Sequence, residues 1–273
     1  MTPEVRYLVF DLESVADGDL VSRLRFPGEK LDGAAAIARY RAELMAKNDS
    51  DFIPYTFQVP VSVAVAKVGE DLRLLDLVTL DEPRFRPHII TEHFWRGWEK
   101  YRRPTLVSFN GRGFDIPLLE LAAFRYGIAV PTWFNLQLKS FEQPRNRYNL
   151  DAHFDLQELL TNFGSSRFNG GLNLVANLLG KPGKMDVQGC MVQDLYNEGK
   201  LQEINDYCRC DVLDTYFVFL RTRVLLGRIT LPEEQNLINA ARRFLEKGAE
   251  NSAAYRAYLE RWGDWPNPWD EAG

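Results

Sequence analysis

The sequence predicts an α/β fold in which helices flank a mixed β-sheet. Three observations indicate it: a short apolar strand near the start of the chain, a strand hairpin after it, and alternating strands and helices beyond the hairpin. An antiparallel hairpin followed by strand–helix alternation suits a layered α/β architecture. The 273 residues are enough for one large domain with a full hydrophobic core.

The first strand is the apolar run Tyr7–Phe10, which leads directly into Asp11 and Glu13. Short apolar, β-branched and aromatic runs are typical of buried central strands. Because side chains alternate between the two faces of a strand, both acids point to the same side near its end. This stretch therefore indicates either a divalent cation site or a strand that simply runs out into solvent.

A hairpin comes next. Residues Ala34–Lys47 are typical of a helix, after a polar segment that follows Ser14. The alternating, β-branched run Val61–Val68 predicts a strand, and Leu72–Leu80 predicts a second one. Only Gly69-Glu70-Asp71 separates them, so we expect the two strands to pair antiparallel.

Strand–helix alternation follows the hairpin. An amphipathic helix over Thr91–Arg102 closes at Pro104, and Thr105–Asn110 is another short apolar strand. A helix over Ile116–Tyr126 ends at Gly127, since glycine is common just after a helix C-terminus.

The C-terminal half is mainly helical. His153–Leu160 predicts a strand that leads into a turn or short helix, after an irregular stretch from Trp133 to Asn149. Further helices are expected over Leu172–Leu179, Val187–Asn197, Leu201–Leu226 and Glu233–Trp262. We expect one main domain over residues 1–231 and a helical extension over residues 232–273 that packs on it or follows it.

Composition restricts the class of protein. No apolar run approaches 18 residues, and the chain enters a strand too early for a signal peptide, so we expect neither a membrane span nor secretion. Cys190, Cys208 and Cys210 have neither the number for a disulfide framework nor the spacing of a zinc site, which favours a cytoplasmic location. The net charge of −5 offers no global attraction to nucleic acid, so such binding would need local basic patches.

Three further polar residues are candidates for chemistry. Asp115 follows the second apolar strand, where it could equally cap the helix that begins at Ile116. Tyr207 and Asp211 are four residues apart, so they share one helix face with Asp214, although a solvated acidic stripe has the same pattern. Their occurrence together with the paired acids, in this chain order, favours one common site.

The ordered set resembles a known family. Asp11-x-Glu13, Asn110-x-x-x-x-Asp115 and Tyr207-x-x-x-Asp211 resemble the three motifs of the DEDD superfamily of 3′–5′ exonucleases. The tyrosine is similar to that of the DEDDy branch, since the histidine branch would have His where this chain has Asp206. From Tyr7 to Arg223 the chain resembles the proofreading exonuclease domain of family-B DNA polymerases, in a stand-alone form.

This resemblance implies a ribonuclease-H-like fold with a mixed five-stranded sheet, and two-metal phosphodiester hydrolysis with Mg²⁺ or Mn²⁺. It implies that Asp11 bridges both metals, and that Glu13 and Asp211 complete the site that activates water. Asp115 would hold the second metal, and the Tyr207 hydroxyl would orient the attacking water. Each of these roles is an expectation about this chain.

Substrate contacts are expected from residues in or beside the motifs. They are Leu12, Ser14, Asn110, Arg112, Phe114 and Lys184. A wider groove of aromatic and basic side chains is expected from Lys139, Phe141, Arg145, Arg147, Tyr148, Arg167 and Phe168, with Lys181 as a further phosphate contact. His153 and Asp155 could form a His/carboxylate metal pair, but a single histidine at strand spacing from an acid favours a structural role. Trp262, Trp265 and Trp269 either pack back on the domain or contact a partner.

The expected function is metal-dependent 3′–5′ hydrolysis of single-stranded DNA to nucleoside 5′-monophosphates, with RNA as a second candidate substrate. Three alternatives stay open at this point: an exonuclease of short RNA that uses the same site, a catalytically silent module that binds a nucleic-acid end, and a structural cation site. The complete acid set argues against a silent module, and a structural cation would not need Tyr207.

Overall fold

A computed structural model describes residues 4–184 and 189–270. Its centre is one mixed sheet of five strands in the order β3-β2-β1-β4-β5, which confirms the predicted α/β class. The central strand β1 pairs antiparallel with β2 and parallel with β4. The strands are β1 Val5–Ala16, β2 Gln58–Gly69, β3 Leu74–Thr79, β4 Thr105–Ser108 and β5 His153–Asp155.

Ten α-helices flank the sheet within the described ranges. They are α1 Gly18–Arg25, α2 Gly33–Asn48, α3 Pro87–Lys100, α4 Asp115–Tyr126, α5 Leu156–Leu160, α6 Gly171–Leu178, α7 Val192–Asn197, α8 Leu201–Leu225, α9 Leu231–Gly248 and α10 Ala253–Glu260. Across residues 4–184 and 189–270, none of the helices has both the length and the apolar character needed to cross a membrane.

The strict alternation of β1 separates two hydrophobic cores. Leu8 and Phe10 face α3 and α4, where they pack among tryptophan and leucine side chains. Val9 faces the other way, into the core built around α8 and the C-terminal helices. Asp11 and Glu13 lie on the same face of β1 as Val9, which is the face that packs on α8. The alternation of the strand therefore determines where both acids point.

Several element boundaries differ from the predictions, and the helical stretch expected over Glu233–Trp262 is observed as two helices, α9 and α10. β1 continues through its polar residues to Ala16, because pairing with β2 extends as far as Gln58. The second hairpin strand begins only at Leu74, since Leu72 has a left-handed backbone with φ of 64°. The expected helix over residues 187–197 is observed as α7 from Val192, and residues 187 and 188 lie outside the described ranges.

Helix α1 was not predicted, and its formation depends on packing. The Asp17 side chain caps it by accepting a hydrogen bond from the Leu20 amide at 3.0 Å. Its first residue, Gly18, lies against Gly33 of α2 so closely that a Cβ atom there would come within 2.6 Å of the Gly33 backbone. The two glycines allow a close contact between helices that no local sequence pattern indicates.

The C-terminal helices pack on α8. Tyr258 of α10 donates a hydrogen bond to the buried Asp214 carboxylate at 2.7 Å. The Trp262 ring packs edge-on against Phe217, at a centroid distance of 5.2 Å. Of the two alternatives for this tryptophan, packing back on the domain is therefore the one observed, while the domain boundary at residue 231 stays a prediction.

We expect Tyr258→Phe to lower the free energy of unfolding by about 1–3 kcal/mol, because it leaves a buried carboxyl group without its hydrogen-bond donor. Urea denaturation at neutral pH measures the change. Tyr196→Phe, on the more exposed α7, is the matched control and should change stability by less than about 0.5 kcal/mol. Equal stability of the Tyr258→Phe variant and the wild type would contradict an anchoring role for this contact.

Candidate active site

Three carboxylates from two elements converge beside the central strand. Oxygen atoms of Asp11 and Glu13 on β1 and of Asp211 on α8 all lie within 4.8 Å of one another. Two contacts fix α8 in place here: the buried Ser62 hydroxyl donates to Asn205 Oδ1 at 2.6 Å, and the Cys208 thiol donates to the Asp11 carbonyl at 3.3 Å. Two of the predicted motifs are thus brought together.

Asp115 is the fourth acid, and it enters from the loop after β4. It is the first residue of α4, whose N-cap is Phe114, so Asp115 is not the helix cap that its position in the sequence allowed. Gly111 makes room for it, because a Cβ atom at position 111 would lie 3.0 Å from Asp115 Oδ2 and 2.4 Å from Ser108 Oγ. The charge of Asp115 raises the pKa of both Asp11 and Glu13.

Burial dominates the electrostatics of all four acids. It raises the pKa of Asp11 and Glu13 well above their ordinary values, and the neighbouring carboxylates raise each further. Burial also raises the pKa of Asp115 and of Asp211 to about 7. Hydrogen bonding from Tyr207 and the charge of Lys184 lower the pKa of Asp211, which partly offsets the effect of burial.

Tyr207 lies beside the cluster as a neutral phenol. Burial, followed by the charges of Asp211, Glu13 and Asp11, raises its pKa, and its hydroxyl is hydrogen-bonded to Asp211. A phenol that retains its proton at this point can orient a bound molecule. It cannot serve as a base near neutral pH.

Asp155 holds the backbone of the loop that leads from β4 to Asp115. Its carboxylate accepts hydrogen bonds from the backbone amides of Asn110 at 3.1 Å and Arg112 at 2.9 Å, and it caps α5. The neighbouring His153 is buried, bonds Ser108 Oγ through Nε2 at 2.7 Å, and has its pKa lowered by burial. Both residues have the structural role that the sequence favoured.

Arg112 is engaged inside the protein. Its guanidinium donates to the His153 carbonyl at 2.6 Å and pairs with Glu158 at 2.8 Å, and its side chain is 11% exposed. Arg112 thus pairs with groups inside the protein, and the substrate contact expected of it stays a prediction. Sequence proximity to Asp115 was the only signal for that expectation.

Lys181 is also committed elsewhere. It is buried, its ammonium group donates to the Gly263 carbonyl at 2.8 Å, and it lies 4.0 Å from the Trp262 ring centroid. Burial lowers its pKa to about 8. The phosphate contact expected of Lys181 is therefore wrong, since the C-terminal segment takes up its charge.

The remaining expected substrate residues divide into two groups. A cavity of about 390 Å³ beside the acids is lined by Leu12, Ser14, Phe114 and Lys184, among others. Asn110 lies outside it, exposed, and its Oδ1 accepts a hydrogen bond from Gln157. The cavity therefore gathers four of the six residues at one end of β1.

The wider aromatic–basic groove is only partly available. Arg145 forms a two-point ion pair with Glu120, Arg147 pairs with Glu158, and Phe168 packs on Phe109. The aromatic rings that stay largely exposed in this region are Phe141 at 64% and Tyr148 at 65%.

Sequence reasoning missed the far wall of the cavity. Arg41, Phe52, Gln58 and Gln193 line it together with the expected residues. None of them belongs to a motif or a regular spacing, so only their position in the fold connects them with Glu13.

Comparison with known proteins identifies a family for this chain. The model of a family described as predicted 3′–5′ exonucleases related to the exonuclease domain of PolB matches residues 50–262. The match includes Asp115, Tyr207 and Asp211, whereas Asp11 and Glu13 precede it. No curated protein is significantly similar to the chain.

Among solved structures, the chain is similar to the family B DNA polymerase of the hyperthermophilic archaeon Pyrobaculum calidifontis, with a TM-score of 0.51 at 16% identity. The alignment covers 91% of this chain and 29% of the polymerase, so the chain corresponds to less than a third of that protein. This likeness concerns the fold, and it agrees with the expected ribonuclease-H-like arrangement of a mixed five-stranded sheet with helices.

We expect Asp211→Asn to stabilise the protein in the presence of a chelator at about pH 8 and to have little effect at about pH 5. Because burial raises the pKa of Asp211 from 3.8 to about 7, the folded state binds more protons than the unfolded state between these values. Its stability therefore falls as the pH rises through that window, and removing the charge recovers part of the loss.

Urea denaturation at the two pH values measures this difference. Glu203→Gln, an exposed acid in the first turn of the same helix, is the matched control and should give no comparable gain. If both variants behaved alike at the higher pH, repulsion within the cluster would not limit stability.

Proposed function

The chain belongs to the family of predicted 3′–5′ exonucleases related to the exonuclease domain of PolB, and we propose that it hydrolyses single-stranded DNA from the 3′ end to nucleoside 5′-monophosphates. The convergence of Asp11, Glu13 and Asp211 is the observation that carries this proposal. Single-stranded RNA is the second substrate to test, because the sugar pocket determines whether a 2′-hydroxyl is accepted.

The acid cluster fits hard divalent cations. Buried carboxylates within 4.8 Å of one another repel, and oxygen ligands of this kind are those that Mg²⁺ and Mn²⁺ take. Asp11, Glu13 and Asp211 would hold one ion, and Asp115 would hold the second together with Asp11. Two such ions would offset the charge that develops on the phosphoryl oxygens and stabilise the leaving 3′ oxygen.

The chain's own residues would position the reactants. Tyr207 keeps its proton and lies at Asp211, where its hydroxyl would hydrogen-bond the attacking water. Phe114 offers a ring and Lys184 a positive charge at the cavity beside Glu13, which Leu12 and Ser14 also line. Base stacking and charge pairing with phosphate are the usual means of binding single strands. The proposed location of the reaction is the cytoplasm.

We expect the wild type to shorten a 5′-labelled single-stranded DNA oligonucleotide in one-nucleotide steps from its 3′ end with Mg²⁺ or Mn²⁺. Chelator, Asp11→Ala and Asp211→Ala should each abolish the ladder, with a loss of at least about 100-fold, because the ions lose their ligands. Asp206→Ala on the same helix, whose carboxylate pairs with Arg209, is the matched control and should retain activity.

The RNA twin of the oligonucleotide ranks the two substrates in the same assay. Retention of full metal-dependent cleavage by Asp11→Ala and Asp211→Ala would refute the proposed site. Binding of the oligonucleotides without cleavage by the wild type would identify a silent binding module.

We expect Tyr207→Phe to lower kcat by about 5- to 30-fold, since the variant loses one hydrogen bond of about 1–2 kcal/mol to the attacking water. KM should change by less than about 2-fold, because the ring that packs the site is retained. Steady-state kinetics on the DNA substrate test this, with Tyr196→Phe as the control. An unchanged kcat would exclude a role for the hydroxyl in the reaction.

A further inference from the structure

The chain leaves the sheet between β1 and β2 and forms a helical excursion, residues 17–57, that contains α1 and α2. The excursion has its own small core, in which Val21, Phe26, Tyr40 and Ile53 are all buried. Together with the close contact between α1 and α2, this core makes the excursion a packed unit. A side chain it carries therefore has a defined position relative to the sheet.

A chain of hydrogen bonds ties the end of the excursion to β1 beside the acids. The Ser14 hydroxyl donates to Gln58 Oε1 at 2.5 Å, and Gln58 Nε2 donates to the Ile53 carbonyl at 2.5 Å. Ser14 directly follows Glu13, and Ile53 directly follows Phe52. The position of Phe52 is thereby coupled to that of the catalytic strand.

Phe52 faces the cavity with much of its ring uncovered. Its side chain lines the same cavity of about 390 Å³ as Glu13 and Lys184, and the residue is 59% exposed. Its ring centroid lies 5.8 Å from that of Phe114, at an interplanar angle of 54°. Two rings at such an angle leave faces open, and an open aromatic face is a surface on which a nucleic-acid base stacks.

Arg41 of α2 adds a cation to the same wall. It is half-buried and lines the cavity, and no ion pair or hydrogen bond of its side chain is seen within residues 4–184 and 189–270. By contrast, Arg25 pairs with Glu43 and Arg39 with Glu29 elsewhere on the excursion. Guanidinium groups suit phosphate recognition, and Arg41 and Lys184 are the two cations of a lining that also contains the acids Glu13 and Asp51.

We propose that the excursion forms the nucleotide-recognising wall of the active site, with Phe52 stacking on the base of the 3′-terminal nucleotide and Arg41 contacting its backbone. This inference rests on the proposed function and deepens it: the substrate end is recognised through a base, by residues that lie outside the acid motifs. The identity of that base should matter little, because every base presents a face to an aromatic ring.

The test compares two 5′-labelled single-stranded DNA oligonucleotides, identical except that the terminal 3′ nucleotide of one is abasic. We expect Phe52→Ala to lower kcat/KM on the ordinary end by about 5- to 150-fold, the range that loss of base–aromatic stacking gives. On the abasic end, the same variant should lower kcat/KM by less than about 2-fold, since this end has no base to stack. The comparison is made within each variant, so partial loss of folded protein cancels.

Two further variants make the test specific. Phe52→Tyr retains the ring and should restore the preference for the ordinary end. Phe124→Ala removes an aromatic that is 85% exposed on α4, and it should leave both rates unchanged. Arg41→Gln should weaken both substrates alike, because it affects the backbone contact, and it should reduce the salt dependence of KM.

Binding measured alongside cleavage separates the two proposals. Fluorescence anisotropy with the same oligonucleotides and Ca²⁺ in place of Mg²⁺ gives a Kd for each variant. Suppose that the wild type binds the oligonucleotides but does not cleave them with Mg²⁺, and that Phe52→Ala weakens binding of the ordinary end only. This result would support the proposed recognition wall and refute the proposed exonuclease activity. If the wild type cleaves, and Phe52→Ala lowers kcat/KM equally on both ends or on neither, the recognition wall alone would be refuted. Neither cleavage nor binding by the wild type would refute both.

Discussion

Repulsion among buried carboxylates is the constraint on which the rest of this structure depends. The alternation of β1 directs Asp11 and Glu13 to one face, and α8 brings Asp211 against them. Burial and mutual charge raise the pKa of each acid, and Lys184 offsets only part of the charge on Asp211. A hard divalent cation offsets several such charges at once, which is why this geometry suits metal-dependent phosphodiester hydrolysis.

Holding the acids together requires a rigid frame behind them. The buried Ser62–Asn205 hydrogen bond fixes α8 against the sheet, and the Tyr258–Asp214 contact fixes its outer face to the C-terminal helices. On the other side, Asp155 uses its carboxylate to hold the backbone of the loop that leads to Asp115. These hydrogen bonds lie within the protein, so they oppose the repulsion among the acids without any ligand.

Two segments outside the sheet determine what can approach the acids. The helical excursion between β1 and β2 provides the cavity wall that carries Phe52, and the C-terminal segment takes up Lys181 through the Gly263 carbonyl. One segment adds an aromatic surface to the site and the other removes a cation from it. Both effects depend on contacts between residues that are far apart in the sequence.

The sequence by itself determined the mixed sheet, the direction of Asp11 and Glu13 on β1, and the common face of Tyr207 and Asp211 on α8. The mixed sheet follows from the hairpin and the strand–helix alternation after it. The shared faces follow from periods of two and about 3.6 residues, which are local properties of a strand and a helix. Which basic or aromatic side chain is free to meet a substrate is not local. Arg112 is taken up by the distant Glu158, and Phe52 reaches the cavity only because the excursion folds back on β1. Only the tertiary structure decided these, since burial and pairing depend on partners that no spacing in the chain specifies.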